Sequence, residues 1–354
     1  MKKIFSLRSS ITLMISLLLL VVVVNFSGTA QTTKPIEVIF GHMDPPNNFT
    51  TLYITEPWAE SMEKATNGRL KFILYPSNTL FPAVETMNAL ETGVTDFGWS
   101  PISYMPGRFP LLEVMFLPFL ASRTDSETYT RIANELYETV PEIQQEFSTI
   151  KLLYLCGLEP YCICTAKRPI HTLEDLKGLK IRVSGRVASK TVECLGASPV
   201  NIPLPDVYDA AAKGVIDGAL LSTDMIVAFQ LHQIFTYVTR APLWASTEYW
   251  GMNKIRWESF PKDIQEQIMS VNGMVAALYE SETRYGQEFQ EQFEDMQKKD
   301  EKIITWYMLP PEEVLRWKEK TLPVWEEWIS ELEGKGLPAK KVLEKALEIA
   351  EKYK

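Results

Sequence analysis

The sequence predicts an α/β protein built as two similar lobes joined by a helical spine, on three observations. Strand and helix signals alternate from Ile36 to Trp99, the pattern of mostly parallel sheets covered by helices on both faces. The alternation returns between His171 and Leu220. Two short stretches also match at corresponding points. Gly93-Val94-Thr95-Asp96 and Gly214-Val215-Ile216-Asp217 each end a helix and turn into a strand.

Ile36–Phe40 (IEVIF) reads as the first strand. A helix carrying Trp58, Met62 and Ala65 follows, stopped at Asn67-Gly68. Arg69–Tyr75 is a strand, and Phe81–Thr92 a helix with Val84, Met87 and Leu90 on one side, ended by Gly93. Asp96–Trp99 is a short strand that runs into a Pro/Gly-rich loop. In the second half, His171–Leu176 holds a short helix with Thr172 as N-cap. Leu179–Val183 is a strand, Asp206–Lys213 a helix and Val215–Leu220 the next strand. From Pro261 onward, apolar residues from Ile264 to Met296 keep helical spacing, which predicts one very long helix or two in tandem. Lys302–Tyr307 is a last strand. Helices carrying Trp317, Trp325, Trp328, Leu343 and Leu347 finish the chain, their aromatic spacing that of core packing.

Export is written at the start. Lys2, Lys3 and Arg8 precede an apolar run, Ile11–Phe26, and Gly28-Thr29-Ala30 supplies small residues before Gln31. This is the order of a cleaved secretory signal over residues 1–30, and it predicts a periplasmic mature protein. The net charge of −9, with no clustered basic patch, argues against nucleic acid as a partner. Composition is ordinary globular, at 46% hydrophobic and 23% charged.

Chemistry is sparse. Neither GxGxxG nor GxxxxGK[ST] occurs, and there is no GxSxG or HExxH. The three histidines are scattered and none is spaced with a cysteine pair as a metal site requires. Cys156, Cys162, Cys164 and Cys194 read as small buried hydrophobes, and Cys162 and Cys164 face one side of a strand, where they cannot easily bridge. The expectation is therefore binding without catalysis, cofactor or metal.

The chain resembles the solute-binding subunits of tripartite ATP-independent periplasmic (TRAP) transporters, the dicarboxylate-binding-protein-like family. The strongest stretch is LEDLKGLKIRV followed by LGASPVNIPLPDVYDAAAKGVIDG, within Leu173–Gly218. LYPSNTL, DFGWSPISYMPGRFPLLEVMFLPF and WESFPKDIQEQI support it. The resemblance implies a two-lobed periplasmic binding protein fold with hinge crossovers and a long helix spanning both lobes. We place lobe I at 36–159 plus 246–285 and lobe II at 160–245 plus 286–354.

The family resemblance also implies a ligand carboxylate in the cleft, paired with the arginine of the KIRV strand, here Arg182. Strand alternation puts Arg182 opposite Leu179, Ile181 and Val183, and guanidinium suits two-point contact with a carboxylate. The same resemblance places Trp99, Pro101 and Tyr104 along the cleft, Leu204 over the ligand, and Thr247 and Tyr249 as further contacts. Leu221 and Ser222 stand where some members carry an Asn that binds the carboxylate. Cys162 stands where sialic-acid binders carry a second arginine. These departures favour a small monocarboxylate with an apolar or aromatic body, passed to TRAP membrane permease subunits by a monomeric receptor. The alternatives are a polar dicarboxylate or sugar acid, and an exported enzyme using Arg182 as anchor with Asp44 or Asp224 as the acid.

Overall fold

The computed structural model describes residues 34–301 and 303–354, without the side chain of Glu288, so the signal segment and Lys302 lie outside the described residues. Nine strands form one mixed sheet: β1 (Ile36–Gly41), β2 (Leu70–Tyr75), β3 (Phe97–Pro101), β4 (Ile150–Thr165), β5 (Lys180–Val183), β6 (Ser198–Asn201), β7 (Gly218–Leu221), β8 (Tyr237–Asn253) and β9 (Thr305–Met308). Their order is β2-β1-β3-β8-β4-β7-β5-β6, with β9 also on β8. The helices are α1 (Glu56–Ala65), α2 (Thr86–Thr92), α3 (Ser126–Thr139), α4 (Pro141–Glu146), α5 (Leu173–Leu176), α6 (Arg186–Cys194), α7 (Val207–Ala212), α8 (Thr223–Ala228), α9 (Lys254–Ser259), α10 (Lys262–Ser270), α11 (Met274–Tyr285), α12 (Gln287–Lys299), α13 (Pro311–Gly334) and α14 (Ala339–Lys352).

The matched Gly-Val-x-Asp stretches do the same work twice. Gly93 and Gly214 close their helices at φ 75° and 69°, in the left-handed region glycine favours. The Asp96 carboxylate accepts from Ile39 N at 2.8 Å, and Asp96 N donates to Ile39 O at 3.0 Å. Asp217 repeats this on Lys180, at 3.0 and 2.8 Å. Each aspartate thus pins a neighbouring strand, Asp96 the middle of β1 and Asp217 the start of β5. The short helix α5 carries the expected cap, with Thr172 and Asp175 forming a capping box.

The sheet is less parallel than the sequence predicts. β1–β3, β5–β6, β5–β7 and β8–β9 are parallel, but β3–β8, β4–β7 and β4–β8 are antiparallel. Two very long strands cause this, and both run through the middle of the sheet. Their ladder is interrupted between Gly157/Pro160 and Pro160/Cys162. Pro160 and Pro242 sit at this interruption, where the missing N–H of proline breaks no regular ladder bond. The sequence-predicted strand around Cys162–Cys164 is only the far end of β4.

The spine also differs from expectation. The Pro-free run is three helices, α10, α11 and α12, divided at Gly273 (φ 67°) and Gly286 (ψ −176°), so no single long helix forms. Helical periodicity survives breaks of three residues (271–273) and one (286), which is why the spacing did not show them. The C-terminal aromatics are core as read, with Trp317 and Trp328 buried. Two aliphatic residues read onto apolar helix faces, Val84 of the Phe81–Thr92 helix and Leu347 near the C-terminus, are instead 41% and 36% exposed.

Candidate ligand-binding site

Arg182 is held by the architecture around β5. Ile181 and Val183 pack into the core at 0% exposure, so alternation turns Arg182 to the other face, where it is 1% exposed. Its Nε donates to Ile202 O at 2.7 Å, and Nη1 to Leu220 O at 3.3 Å. Both carbonyls belong to the flanking strands β6 and β7 or the loop just after, so the guanidinium is fixed in place. Among the described residues no carboxylate forms an ion pair with it. Two phenols lie beside it instead. The Tyr104 hydroxyl accepts from Leu204 N at 2.9 Å. Burial raises its pKa, and the neighbouring Arg182 charge opposes that rise. Tyr161 is pushed further up by burial, again against the pull of Arg182.

Leu204 joins this corner to an internal cavity, about 20 Å³ open to the centres of water molecules, with Trp99, Pro101 and Leu158 as further apolar wall. Asp44, Asp224, Glu248 and Arg284 add charged groups to its lining. Arg284 binds Asp224 at 3.0 Å, Glu248 at 2.8 Å, and Glu280. Tyr285 and Ser222 hydroxyls both donate to Asp224. One guanidinium for three buried carboxylates is not enough. Burial drives Glu248 well above its ordinary value, with Arg284 opposing and Glu280 adding to the rise. Burial likewise pushes Asp44 up to about 7. Cys156, Glu248 and Glu280 place ligand atoms within 4.8 Å of one another. The Arg284 guanidinium already supplies a cation to both of those carboxylates.

The segments across the site are in contact. Ser103 and Ser184 hydroxyls are 2.8 Å apart, and Thr223 donates to Glu159.

The structure brings together Arg182, Trp99, Pro101, Tyr104 and Leu204. Leu221 is fully buried in β7 opposite Cys162, and Ser222 reaches the cavity wall only through Asp224. Three of the expected residues, Cys162, Tyr249 and Thr247, do not line this cavity. Cys162 lines a separate surface groove of about 650 Å³, together with Arg240, Met308 and Leu315. Tyr161, one residue earlier, faces Arg182. The interruption at Pro160 decides which side of β4 meets the site, and a shift of one residue exchanges the faces. Burial pushes the Cys162 thiol up to about 12, so it stays a neutral thiol. Tyr249 packs on Phe109 and Phe147, with ring centroids 5.6 and 6.1 Å away. Thr247 shares that face by alternation, and Glu248 takes the cavity side between them. Sequence reasoning missed Tyr161, Leu158, Glu248 and Arg284. The i,i+4 spacing of Glu280 and Arg284 was a readable signal of a helix pair, but not of its burial. Asp44 and Asp224, named in sequence only as acids for the enzyme alternative, both line the cavity.

The model of the family described as bacterial extracellular solute-binding protein, family 7, matches residues 40–331. The chain belongs to this family. It is a TRAP solute-binding subunit with an α/β fold, and the family is periplasmic. The C4-dicarboxylate-binding periplasmic protein DctP of Rhodobacter capsulatus is 24% identical over 329 residues, 87% of this chain and 91% of the relative. A solute-binding protein of Albidiferax ferrireducens is 24% identical over 217 residues, 60% of this chain and 63% of that relative. Among solved structures, a TRAP solute-binding protein from Rhodoferax ferrireducens with copurified benzoate is 26% identical, with a TM-score of 0.83 over 90% of this chain and 98% of that one. A marine-metagenome TRAP solute-binding protein specific for aromatic acid ligands, in complex with metahydroxyphenylacetate, is 26% identical, with a TM-score of 0.83 over 90% and 99% of the two chains. No described helix of the TRAP subunit is long and apolar enough to cross a membrane.

Proposed function

We propose that this TRAP subunit captures an aromatic or other apolar-bodied monocarboxylate, binds its carboxylate through Arg182, and delivers it to a membrane permease without chemical change. One observation carries the reading: Arg182 is a buried cation with no carboxylate partner among the described residues. Burying an unpaired charge costs several kcal/mol, and a ligand carboxylate removes that penalty while adding two-point hydrogen bonds. The apolar wall of Trp99, Pro101, Leu158 and Leu204 favours a ring or branched chain. The solved relatives carrying benzoate and metahydroxyphenylacetate support the same choice.

The charged wall weighs against the dicarboxylate alternative, because a second ligand carboxylate would face Asp44, Asp224 and Glu248. The enzyme alternative is weakened by Asp224, whose oxygens are taken up by Arg284, Tyr285 and Ser222. The lobes divide, on this reading, near residue 159/160 and 245/246, where the β4–β8 ladder is interrupted. The mature chain begins near Gln31 and acts as a monomer. Calorimetry with benzoate, succinate and galacturonate tests the ligand class. Benzoate should bind most tightly and be recovered unchanged, whereas preference for either polar acid would overturn the choice.

A further inference from the structure

The groove lined by Cys162 lies apart from the carboxylate site. At about 650 Å³ it has the size of a small-molecule pocket. Pro160 and Pro242, at the interruption of the β4–β8 ladder, form part of its lining. Buried Leu309 is joined there by two side chains left in water, Met308 of β9 and Leu315 of α13, at 62% and 67% exposed. A lone exposed leucine is ordinary. Two large apolar side chains on the walls of one concavity make the kind of patch that binds something.

Charge narrows the occupant. Arg240 lines the same groove, and among the described residues its guanidinium forms no ion pair. Its Cζ lies 4.4 Å from the centroid of the Trp306 ring, which orients the cation without neutralising it. Glu159, the acid in this lining, accepts a hydrogen bond from Thr223. Burial raises its pKa, and Arg240 opposes that rise from a distance. The permanent charge in the groove is therefore the guanidinium, on a chain whose net charge is −9.

We propose that this groove is a second ligand site, for a fatty acid, with the acyl chain along Met308, Leu309, Val314 and Leu315 and the carboxylate on Arg240. A neutral chain leaves the guanidinium unpaired, and a cation is repelled by it. A small polar anion leaves the apolar walls in water, and a space of this size suits a long chain better than one ring. The proposal does not rest on the Arg182 reading.

Calorimetry with dodecanoate, below its micelle concentration, tests this on wild type, Leu315→Glu, Arg240→Ala and Arg182→Ala. Wild type should bind dodecanoate, and octanoate at least tenfold more weakly, because its shorter chain buries less apolar area. Leu315→Glu should weaken dodecanoate at least tenfold and Arg240→Ala about tenfold, while Arg182→Ala binds it as wild type does. Both groove residues are exposed, so these variants should keep the wild-type melting temperature. The site is overturned if wild type ignores dodecanoate, or if both groove variants bind it as wild type does. Loss in Arg182→Ala alone would also overturn it, by placing the acid in the carboxylate site. So would a wild type that ignores free dodecanoate but uses Leu315 to bind phosphatidylglycerol vesicles or to self-associate, since the groove would then face a membrane surface or a second copy.

Discussion

Arg182 and Arg284 are both buried, at 1% and 2% exposure, yet three carboxylates surround Arg284 and none among the described residues pairs with Arg182. Sequence and burial treat the two side chains alike, and electrostatics separates them. Arg284 is a closed internal network whose charges are spent within the fold. Arg182 is fixed by carbonyls alone, which orient a guanidinium without neutralising it.

That contrast makes Arg284→Met a test of stability. Removing the cation leaves Asp224, Glu248 and Glu280 facing one another in the interior. Breaking a buried network from one side costs about 3–5 kcal/mol. Urea denaturation should show a loss of this size, and a variant within about 1 kcal/mol of wild type would mean the acids are already neutral without it.

Closure is the second test. Cross-site contacts such as Ser103 with Ser184 and Tyr104 with Leu204 tie the segments around the site together, so a ring is expected to enter only after they part. Hinge closure around the ligand is then expected. Small-angle scattering should give a smaller radius of gyration with saturating benzoate than without. Superimposable profiles would argue against a cleft that opens.

The third test separates neighbours on β4. Tyr161 lies beside Arg182, whereas Cys162 lines a groove elsewhere. Tyr161→Phe should weaken benzoate binding several-fold through loss of one hydroxyl, and Cys162→Ser should leave affinity unchanged. The reverse pattern would restore the sequence-based assignment of Cys162.

Asp44 gives a pH signature. Its carboxyl titrates near 7 in the folded protein against an ordinary 3.8, because burial disfavours the charged form. Between those values the folded protein holds a proton that the unfolded chain has released. The favourable contribution is complete below about pH 4 and is lost as pH rises towards 7. Asp44→Asn does not titrate, so wild type should lose stability relative to it across that window, by roughly 4 kcal/mol at most. Parallel stability curves for the two proteins would place Asp44 in contact with solvent.

Local pattern carried much of this in the sequence. The Gly-Val-x-Asp repeat marked both glycine-capped helix ends, which depend on residues close in sequence, but not the clamps of Asp96 on Ile39 and Asp217 on Lys180, which join residues 57 and 37 positions apart. The KIRV strand placed Arg182 by alternation alone. What escaped was non-local. The length of β4 and β8, and the interruption at Pro160 that turns Tyr161 rather than Cys162 to the site, depend on which strands become neighbours. The Arg284 network joins residues up to 60 positions apart, and no spacing rule reports that.

Calorimetry of benzoate binding to folded Arg182→Ala tests the central claim most directly. A charge-assisted hydrogen bond contributes about 1.5–3 kcal/mol, and an arginine–carboxylate pair makes two. Affinity should therefore fall by about two to three orders of magnitude. Arg182→Lys should recover only part of it, because an ammonium lacks the planar two-point contact. If folded Arg182→Ala binds benzoate within a few-fold of wild type, Arg182 is structural and the site lies elsewhere.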